Sequence, residues 1–293
     1  MMSIFKSFFR YLLRSLTLNS FCRSILLNIS YANLLPKWAW KRLPVEGTFS
    51  VFLPDGKSFK YISIANDAIG RALFWRGLIS YEPETIKVFY GIAQISKLIL
   101  DIGANTGLFT LIAAASNPNC RVISFEPVPH ICDRLKANID LNNLAQRCQV
   151  RQEALSNRIG SAKFHVPFGD LPTSSSLNPH GFRGNKGYLI EVPVNTVDNI
   201  YSGQRVDLVK IDVEGFEDKV LEGMQRVLHE SAPNIIVECN PDGPYQAVED
   251  ILAGFGYHFY HLREDGPVEV KKIIPDMSQR ERNFLCTINI DKI

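Results

Sequence analysis

The chain has 293 residues, of which 46% are hydrophobic and 21% charged, and its formal net charge is +2. That length holds one large domain with additions or two small ones, in a composition ordinary for globular proteins. So small a net charge argues against a protein built to coat nucleic acid, and six scattered cysteines with no Cys-x-x-Cys spacing argue against a zinc or disulfide scaffold and fit a reducing, cytoplasmic setting.

Residues 1–44 stand apart from the rest. Lys6, Arg10, Arg14, Arg23, Lys37, Lys41 and Arg42 all precede the first acid, Glu46. Phe5, Phe8, Phe9, Leu12, Leu13 and Leu16 recur at helical spacing, while Lys6, Arg10 and Arg14 step by four on the opposite face. The pattern reads as a basic amphipathic helix. It can pack on its own domain, lie on an anionic membrane surface as a peripheral contact, or act as a targeting segment. Its charges rule out a spanning helix.

Residues 45–97 read as a substrate-side region. Phe49, Val51 and Leu53 alternate up to Pro54-Asp55-Gly56, and Phe59, Tyr61 and Ile64 follow, which is a hairpin pattern. A helix is predicted over Asn66–Gly77 and a second from Glu82-Pro83-Glu84-Thr85 through Ile92. Glu82 stands just ahead of the first main strand. It is a candidate cofactor contact, or simply an acid favoured at a helix start.

Residues 98–293 form the main domain, which alternates strand and helix. Leu98-Ile99-Leu100 is a buried-strand run that ends at Asp101. Gly103, Asn105 and Gly107 lie in a tight turn, and Leu108, Phe109, Leu111 and Ile112 open a helix. Glycines there let backbone approach a nucleotide closely. A dinucleotide loop reads Gly-x-Gly-x-x-Gly around a pyrophosphate. Here the spacing is Asp101-x-Gly103-x-Asn105-x-Gly107, and the acid would repel a pyrophosphate while accepting hydrogen bonds from an ammonium group. S-adenosylmethionine (SAM) carries such a group and no phosphate. Arg121–Phe125 is the second strand, and it ends in Glu126-Pro127 about 20 residues past the loop, where an acid accepts ribose hydroxyls.

Pro129–Leu141 reads as a helix and Cys148–Glu153 as a third strand, leading into Ala154, with Glu153 at its end placed to meet an adenine edge or simply standing as a strand-end charge. Residues 157–200 interrupt the alternation with two strands, Ala162–Val166 and Ile190–Val194, around a long polar loop, an inserted hairpin expected to cover the substrate. His165 and His180 in it are expected to be solvated or capping. Val206–Ile211 is the fourth strand, followed by Asp212-Val213-Glu214-Gly215 and a helix from Asp218 to His229. Asp212 and Glu214 stand outside a strand's carboxyl end, where open α/β sheets do their chemistry. The competing reading is that one caps the next helix and the other pairs with Lys210. Asn234–Val237 is a fifth strand, and Tyr257–His261 and Phe284–Ile288 close the chain as an antiparallel pair.

Together these motifs resemble the FkbM-type family of SAM-dependent methyltransferases. The matching pieces are Asp-Ile-Gly-Ala-Asn-Thr-Gly at 101–107, Phe-Glu-Pro at 125–127, Glu-Ala-Leu-Ser at 153–156, Lys-Ile-Asp-Val-Glu-Gly at 210–215 and Tyr-Glu-Pro-Glu-Thr at 81–85. The resemblance spans about residues 66–262. It implies a Rossmann-like α/β fold: a seven-stranded, mainly parallel sheet with an antiparallel last strand and helices on both faces. It further implies that Asp101, Gly103, Asn105 and Gly107 hold the methionine end of SAM, that Glu126 with Pro127 holds the ribose, and that Glu153 or Ala154 meets the adenine. Methyl transfer to a hydroxyl oxygen of a small-molecule, sugar or lipid-like acceptor is the expected reaction.

A hydroxyl must lose its proton as it attacks, so a positioned base helps, and Asp212 or Glu214 could serve. A divalent metal on Asp212, Glu238 and Asn240 is the less favoured activator. No nucleic-acid partner is expected, because no basic stripe flanks the site and no Asn/Asp-Pro-Pro-aromatic segment follows the fourth strand. Rival readings are a methyltransferase acting on a protein or nucleic acid, and a non-catalytic membrane-bound module that kept the fold.

Overall fold

The computed structural model describes residues 40–172, 174–178, 186–277 and 281–288. The N-terminal basic segment therefore lies outside the described residues up to residue 39, as does His180. Among the described residues no helix is long and apolar enough to cross a membrane.

The chain divides into Met1–Pro83 and Glu84–Ile293. In the first unit, β1 (Gly47–Phe52) and β2 (Ser58–Ser63) pair antiparallel across the Asp55-Gly56 turn. Helix α1 (Ala68–Arg76) follows, its start capped by Asp67, which accepts from the Gly70 N–H at 2.8 Å. Phe49, Phe74 and Trp75 pack edge to face at 5.1 and 4.9 Å, and the fully buried Trp75 indole donates to the Leu43 carbonyl at 3.2 Å. This aromatic cluster is the unit's core.

The second unit is built on one eight-stranded sheet. Helix α2 (Pro83–Ala93) leads into β3 (Leu98–Ile102). There follow α3 (Leu108–Ser116), β4 (Arg121–Phe125), α4 (Pro129–Leu141) and β5 (Cys148–Arg151). After an inserted three-stranded piece come β9 (Leu208–Ile211), α6 (Glu217–Glu222), α7 (Gln225–Ser231), β10 (Asn234–Glu238), α8 (Tyr245–Gly254), β11 (His258–Arg263), β12 (Gly266–Val270) and β13 (Asn283–Thr287). The strand order is β12-β11-β13-β10-β9-β3-β4-β5, with β5, β4, β3, β9 and β10 mutually parallel and β13 antiparallel to both of its neighbours. The seven expected strands are all present. The eighth, β12, was not anticipated; it folds back on β11 at the edge, where Pro267 costs no ladder bond on its open side.

Right-handed crossovers set the layers. From β3 the chain steps one way through α3 and α4, and from β9 it steps the other way through α6 to α8, so the helices fall on opposite faces. Val220, Leu221, Met224, Val227, Val248 and Leu252 from the second set of helices pack with Leu100, Val209, Ile235 and Val237 of the strands. Each such fully buried aliphatic is worth about 1.5–3 kcal/mol relative to exposure.

The insertion holds β6 (Ala154–Leu155), β7 (Gly160–Pro167), β8 (Gly187–Asn195) and the short α5 (Val197–Ile200). β7 and β8 pair antiparallel over their full length, and β6 adds parallel to β8. Two local readings need correction. The third sheet strand stops at Arg151 instead of Glu153, because Ala154 and Leu155 are drawn to β8. The helix expected over Asp218–His229 is broken at Gly223-Met224 into α6 and α7. Gly223 lies so close to the Ser156 carbonyl that a Cβ would sit 2.0 Å from its oxygen, and this crossing of backbones ends α6.

Candidate functional site

The sheet reverses its direction of winding between β3 and β9, and the crevice beyond their carboxyl ends is where an open α/β sheet binds ligand. β3 is buried along its whole length. Its last residues carry Asp101 into that crevice while the turn behind it closes. Gly103 and Ala104 donate to the Phe125 carbonyl at 3.0 and 2.9 Å, which locks the turn to β4. Gly103 has φ +82°, and a Cβ on it would lie 1.8 Å from the Asp212 carbonyl oxygen. The Asp212 N–H in turn donates to the Ile102 carbonyl at 3.0 Å. Glycine is therefore required because the loop presses backbone to backbone on the segment after β9.

Asn105 sits at φ +48°, a left-handed conformation that Asn tolerates better than most residues. Its side chain accepts from the Thr106 N–H at 2.8 Å and donates to the Pro172 carbonyl at 3.1 Å, tying the inserted hairpin's loop to the glycine loop. Its backbone N–H donates to Glu126 Oε2 at 3.1 Å, and the Val128 N–H donates to Glu126 Oε1 at 2.9 Å. Glu126 is thus a buried acid that spans the two turns, with one more lone pair on each oxygen for a ligand.

Asp101 is 1% exposed. Thr110 Oγ1 donates to its Oδ2 at 2.6 Å, and Thr110 is bonded on to Ser124 at 2.7 Å. Burial pushes the Asp101 carboxyl up to about 6, against the pull of Thr110 and Lys210. Burial likewise pushes Glu126 up to about 7. A cation arriving in the crevice would restore the charge on both.

At the end of β9, Lys210 is 1% exposed and lies with Nζ 3.4 Å from Asp212 Oδ2 and 5.2 Å above the Phe109 ring. The expected pairing of one acid with Lys210 is thus made by Asp212. Burial works against the charge of Asp212, but Lys210, a hydrogen bond with Glu238 and the nearby Arg282 more than offset it, and its carboxyl falls below the ordinary value. Glu238 goes the other way: burial and the Asp212 and Glu214 carboxylates drive it well up, so it keeps its proton against Asp212. Arg282, arriving on the antiparallel β13 side, pairs with Glu238 and donates to Asn240 Oδ1 at 3.0 Å. Glu214 holds φ +54°, a conformation that costs a non-glycine residue of order 1–3 kcal/mol, and its carbonyl accepts from Ser176 Oγ at 2.7 Å.

Neither Asp212 nor Glu214 caps α6, whose start has no side-chain cap; the acid at its first position is one the sequence reading passed over. Glu217, 2% exposed, accepts from the Gly215 N–H at 3.0 Å and is pushed up to about 7 by burial. Its place at the opening of α6 was the available signal. Thr110 lies nine residues past Asp101, in the helix that follows the glycine loop, and could have been found there; Ser176 and Arg282 gave no signal, since each reaches the site from a distant part of the chain.

Asp101, Gly103, Asn105, Gly107 and Glu126 thus gather around one turn, with Asp212 against it. Pro127 follows Glu126 in the same turn. Glu153 pairs with Arg151 and accepts from Asn195 Nδ2 at 3.0 Å, and Ala154 is buried in β6. Glu82 belongs to the other unit, at φ +41° just before α2. His165, expected to be solvated or capping, is instead 5% exposed within β7. Carboxylate oxygens of Asp212, Glu214 and Glu238 lie within 4.8 Å of one another, near enough to share one divalent ion. Arg282 already brings positive charge to Glu238 there.

The family model described as the Methyltransferase FkbM domain matches residues 101–259, more than half of the chain. Methyltransferase sdnD of Sordaria araneosa is 29% identical over 204 residues, covering 57% of this chain and 77% of that protein. The 31-O-demethyl-FK506 methyltransferase FkbM of Streptomyces tacrolimicus is 26% identical over 190 residues, covering 55% and 72%. Among solved structures, the FkbM methyltransferase of Methylobacillus flagellatus KT aligns with a TM-score of 0.42 at 17% identity, over 66% of this chain and 43% of that one.

Proposed function

The chain belongs to the FkbM methyltransferase family, and from that membership we propose that it transfers the methyl group of SAM to a hydroxyl oxygen of a small-molecule, sugar or lipid-like acceptor. The observation that carries this reading is the meeting of two strand ends: the acid-led glycine loop after β3 lies directly against Asp212 after β9. An oxygen acceptor also agrees with the name of the Streptomyces relative, a 31-O-demethyl-FK506 methyltransferase.

The residues present fit SAM by their chemistry. Two buried acids line the turn, and neither suits a phosphate. In our reading Asp101 takes the ammonium of the methionine end, and the glycine loop admits its backbone approach. Glu126 with Pro127 takes the ribose, and Glu153 or Ala154 meets the adenine. When bound, SAM supplies an electrophilic methyl group, so the protein's task is alignment and exclusion of water. Asp212 is ionised at neutral pH, yet its depressed pKa makes it a weak base. It suffices because a hydroxyl becomes strongly acidic once its oxygen has begun to bond carbon. Asp212 therefore orients the hydroxyl and receives its proton late, with Glu214 as the neighbouring carboxylate that can share it. A divalent ion on these carboxylates is the less favoured activator. Residues 1–44 as a basic accessory segment, 45–97 as a substrate region, and the hairpin at 157–200 as a cover belong to the same proposal.

Calorimetric titration tests it. SAM and its demethylated product are expected to bind in the micromolar range and NAD⁺ not at all, and Asp101→Asn should weaken SAM by about tenfold or more, the loss of one charge-assisted bond in a buried site. Labelled SAM should then mark acceptors that carry hydroxyls and spare matched acceptors in which the oxygen is blocked. Binding of NAD⁺ in place of SAM would refute the cofactor, and transfer to nitrogen alone would refute the acceptor.

The raised carboxyls also set a pH dependence. Asp101 and Glu126 must be charged to receive an ammonium and to accept strongly from a ribose, and each holds its proton up to about 6 and about 7 in the free protein. Binding therefore releases protons, and SAM affinity should rise with pH through that window and level off above it. From about pH 5.5 to about 7.5 the gain is expected to exceed roughly fivefold. A flat profile would mean that neither acid meets the cofactor.

A further inference from the structure

Outside the carboxylate crevice there is a cleft of about 300 Å³, at the small end of ligand sites. Its walls come from three segments that carry residues already described. Ser156 and Arg158 follow closely on Glu153-Ala154. Phe216 comes two residues after Glu214. Leu177 adjoins Ser176, whose hydroxyl is bonded to the Glu214 carbonyl. Ala162 and Val194 of the inserted hairpin complete an apolar floor.

Two cations stand on this cleft, and they differ. Lys219 is held by Asp218 at 3.2 Å and Glu222 at 2.6 Å, so its charge is already balanced. Asn157 donates to Glu222 at 2.6 Å and is engaged as well. Arg158 is exposed and has no ion-pair or hydrogen-bond partner among the described residues. An apolar floor beside one uncompensated guanidinium suits a compact ligand with a hydrocarbon body and a single anionic group, since guanidinium takes carboxylate or phosphate in paired hydrogen bonds.

We propose that this cleft is an acceptor subsite in which Arg158 binds an anionic group, a carboxylate or a phosphate, on the molecule to be methylated. The inference rests on the methyl-transfer reading. It makes Arg158 a specificity-determining residue rather than part of the chemistry. Anchored there, the acceptor body lies over Phe216 and leads its hydroxyl toward the Asp212–Glu214 turn.

The test uses the full chain and three probes, methyl α-D-glucuronide, glucose 6-phosphate and the neutral methyl α-D-glucoside, titrated by saturation-transfer NMR into wild type, Arg158→Gln and Arg158→Glu. At least one anion is expected to bind more tightly than the glucoside. Arg158→Gln should weaken that anion by about fivefold or more, and Arg158→Glu further, with the glucoside unchanged. Which anion binds more tightly identifies the group. Equal binding of the glucoside and both anions, no binding of either anion, or anion binding indifferent to Arg158→Gln would each overturn the proposal. SAM affinity measured on the same samples separates the two readings. Absence of anion binding to the wild-type chain with its SAM binding intact removes only the subsite, whereas wild-type anion binding without SAM binding removes the methyl-transfer reading.

Discussion

Gly103→Ala is expected to cost about 4 kcal/mol or more of folding stability and to abolish SAM binding in whatever protein remains folded. Two costs combine. The residue holds φ +82°, which a side chain rarely adopts, and the new Cβ would lie 1.8 Å from a backbone oxygen, that of Asp212. Backbone cannot step aside as a flexible side chain could, because the Asp212 N–H is itself bonded to Ile102 and Gly103 is bonded to Phe125. Any relief must move the glycine loop away from β9 and open the crevice. Gly91→Ala is the matched control. That glycine is exposed within α2 and has open space around its Cβ position, so the change should stabilise by about 0.5–1 kcal/mol. Urea unfolding of both variants gives the comparison, and a Gly103→Ala protein within about 1 kcal/mol of wild type would show that the loop does not press on Asp212.

Lys210→Met should be nearly as damaging, at about 3–5 kcal/mol, because it removes one member of a buried ion pair and leaves the other. Lys210 is wholly buried in the central strand with Asp212 beside it, and its charge also bears on Asp101. Without it both acids should take up protons more readily. The signature is therefore twofold: lower stability, and a pH profile of SAM binding displaced upward. Lys210→Met combined with Asp212→Asn removes both charges and should recover part of the stability, a coupling that a double-mutant cycle reads directly. Additive losses in the two single variants would show that the pair is not coupled, and the low pKa of Asp212 would then need another cause.

The contrast between Asp212 and Glu238 explains how a site with so many acids stays intact. Three carboxylates within 4.8 Å cannot all be charged away from water. Asp212, with a quarter of its side chain open to solvent and Lys210 beside it, keeps its charge, whereas the buried Glu238 gives up its own and spends its proton on Asp212. Arg282 ties Glu238 and Asn240 together from the far strand. The result is an oriented, ionised Asp212 carboxylate at the mouth of the crevice.

What the sequence determined by itself was whatever the chain encodes locally. The alternation of apolar runs and helical faces, the acid that closes each strand, and the glycines and Asn105 that tolerate positive φ are properties of neighbouring residues. From them the parallel core, the antiparallel close and the grouping of Asp101, Gly103, Asn105 and Glu126 could all be read. Tertiary structure decided what depends on partners far along the chain. Ala154 and Leu155 leave the main sheet because β8 competes for them. The helix after Glu217 breaks because the Ser156 backbone crosses it at Gly223. β12 occupies the edge because β13 has taken the place between β10 and β11. The charges were decided the same way. Thr110 stands in the very next helix after Asp101, but nothing near Asp101 in sequence says that it will be 1% exposed or that Lys210 will face it, and nothing near Glu238 announces Arg282. A carboxyl's proton affinity is set by the dielectric and the charges around it in space, and in this protein both are supplied by segments that meet only when the sheet has closed.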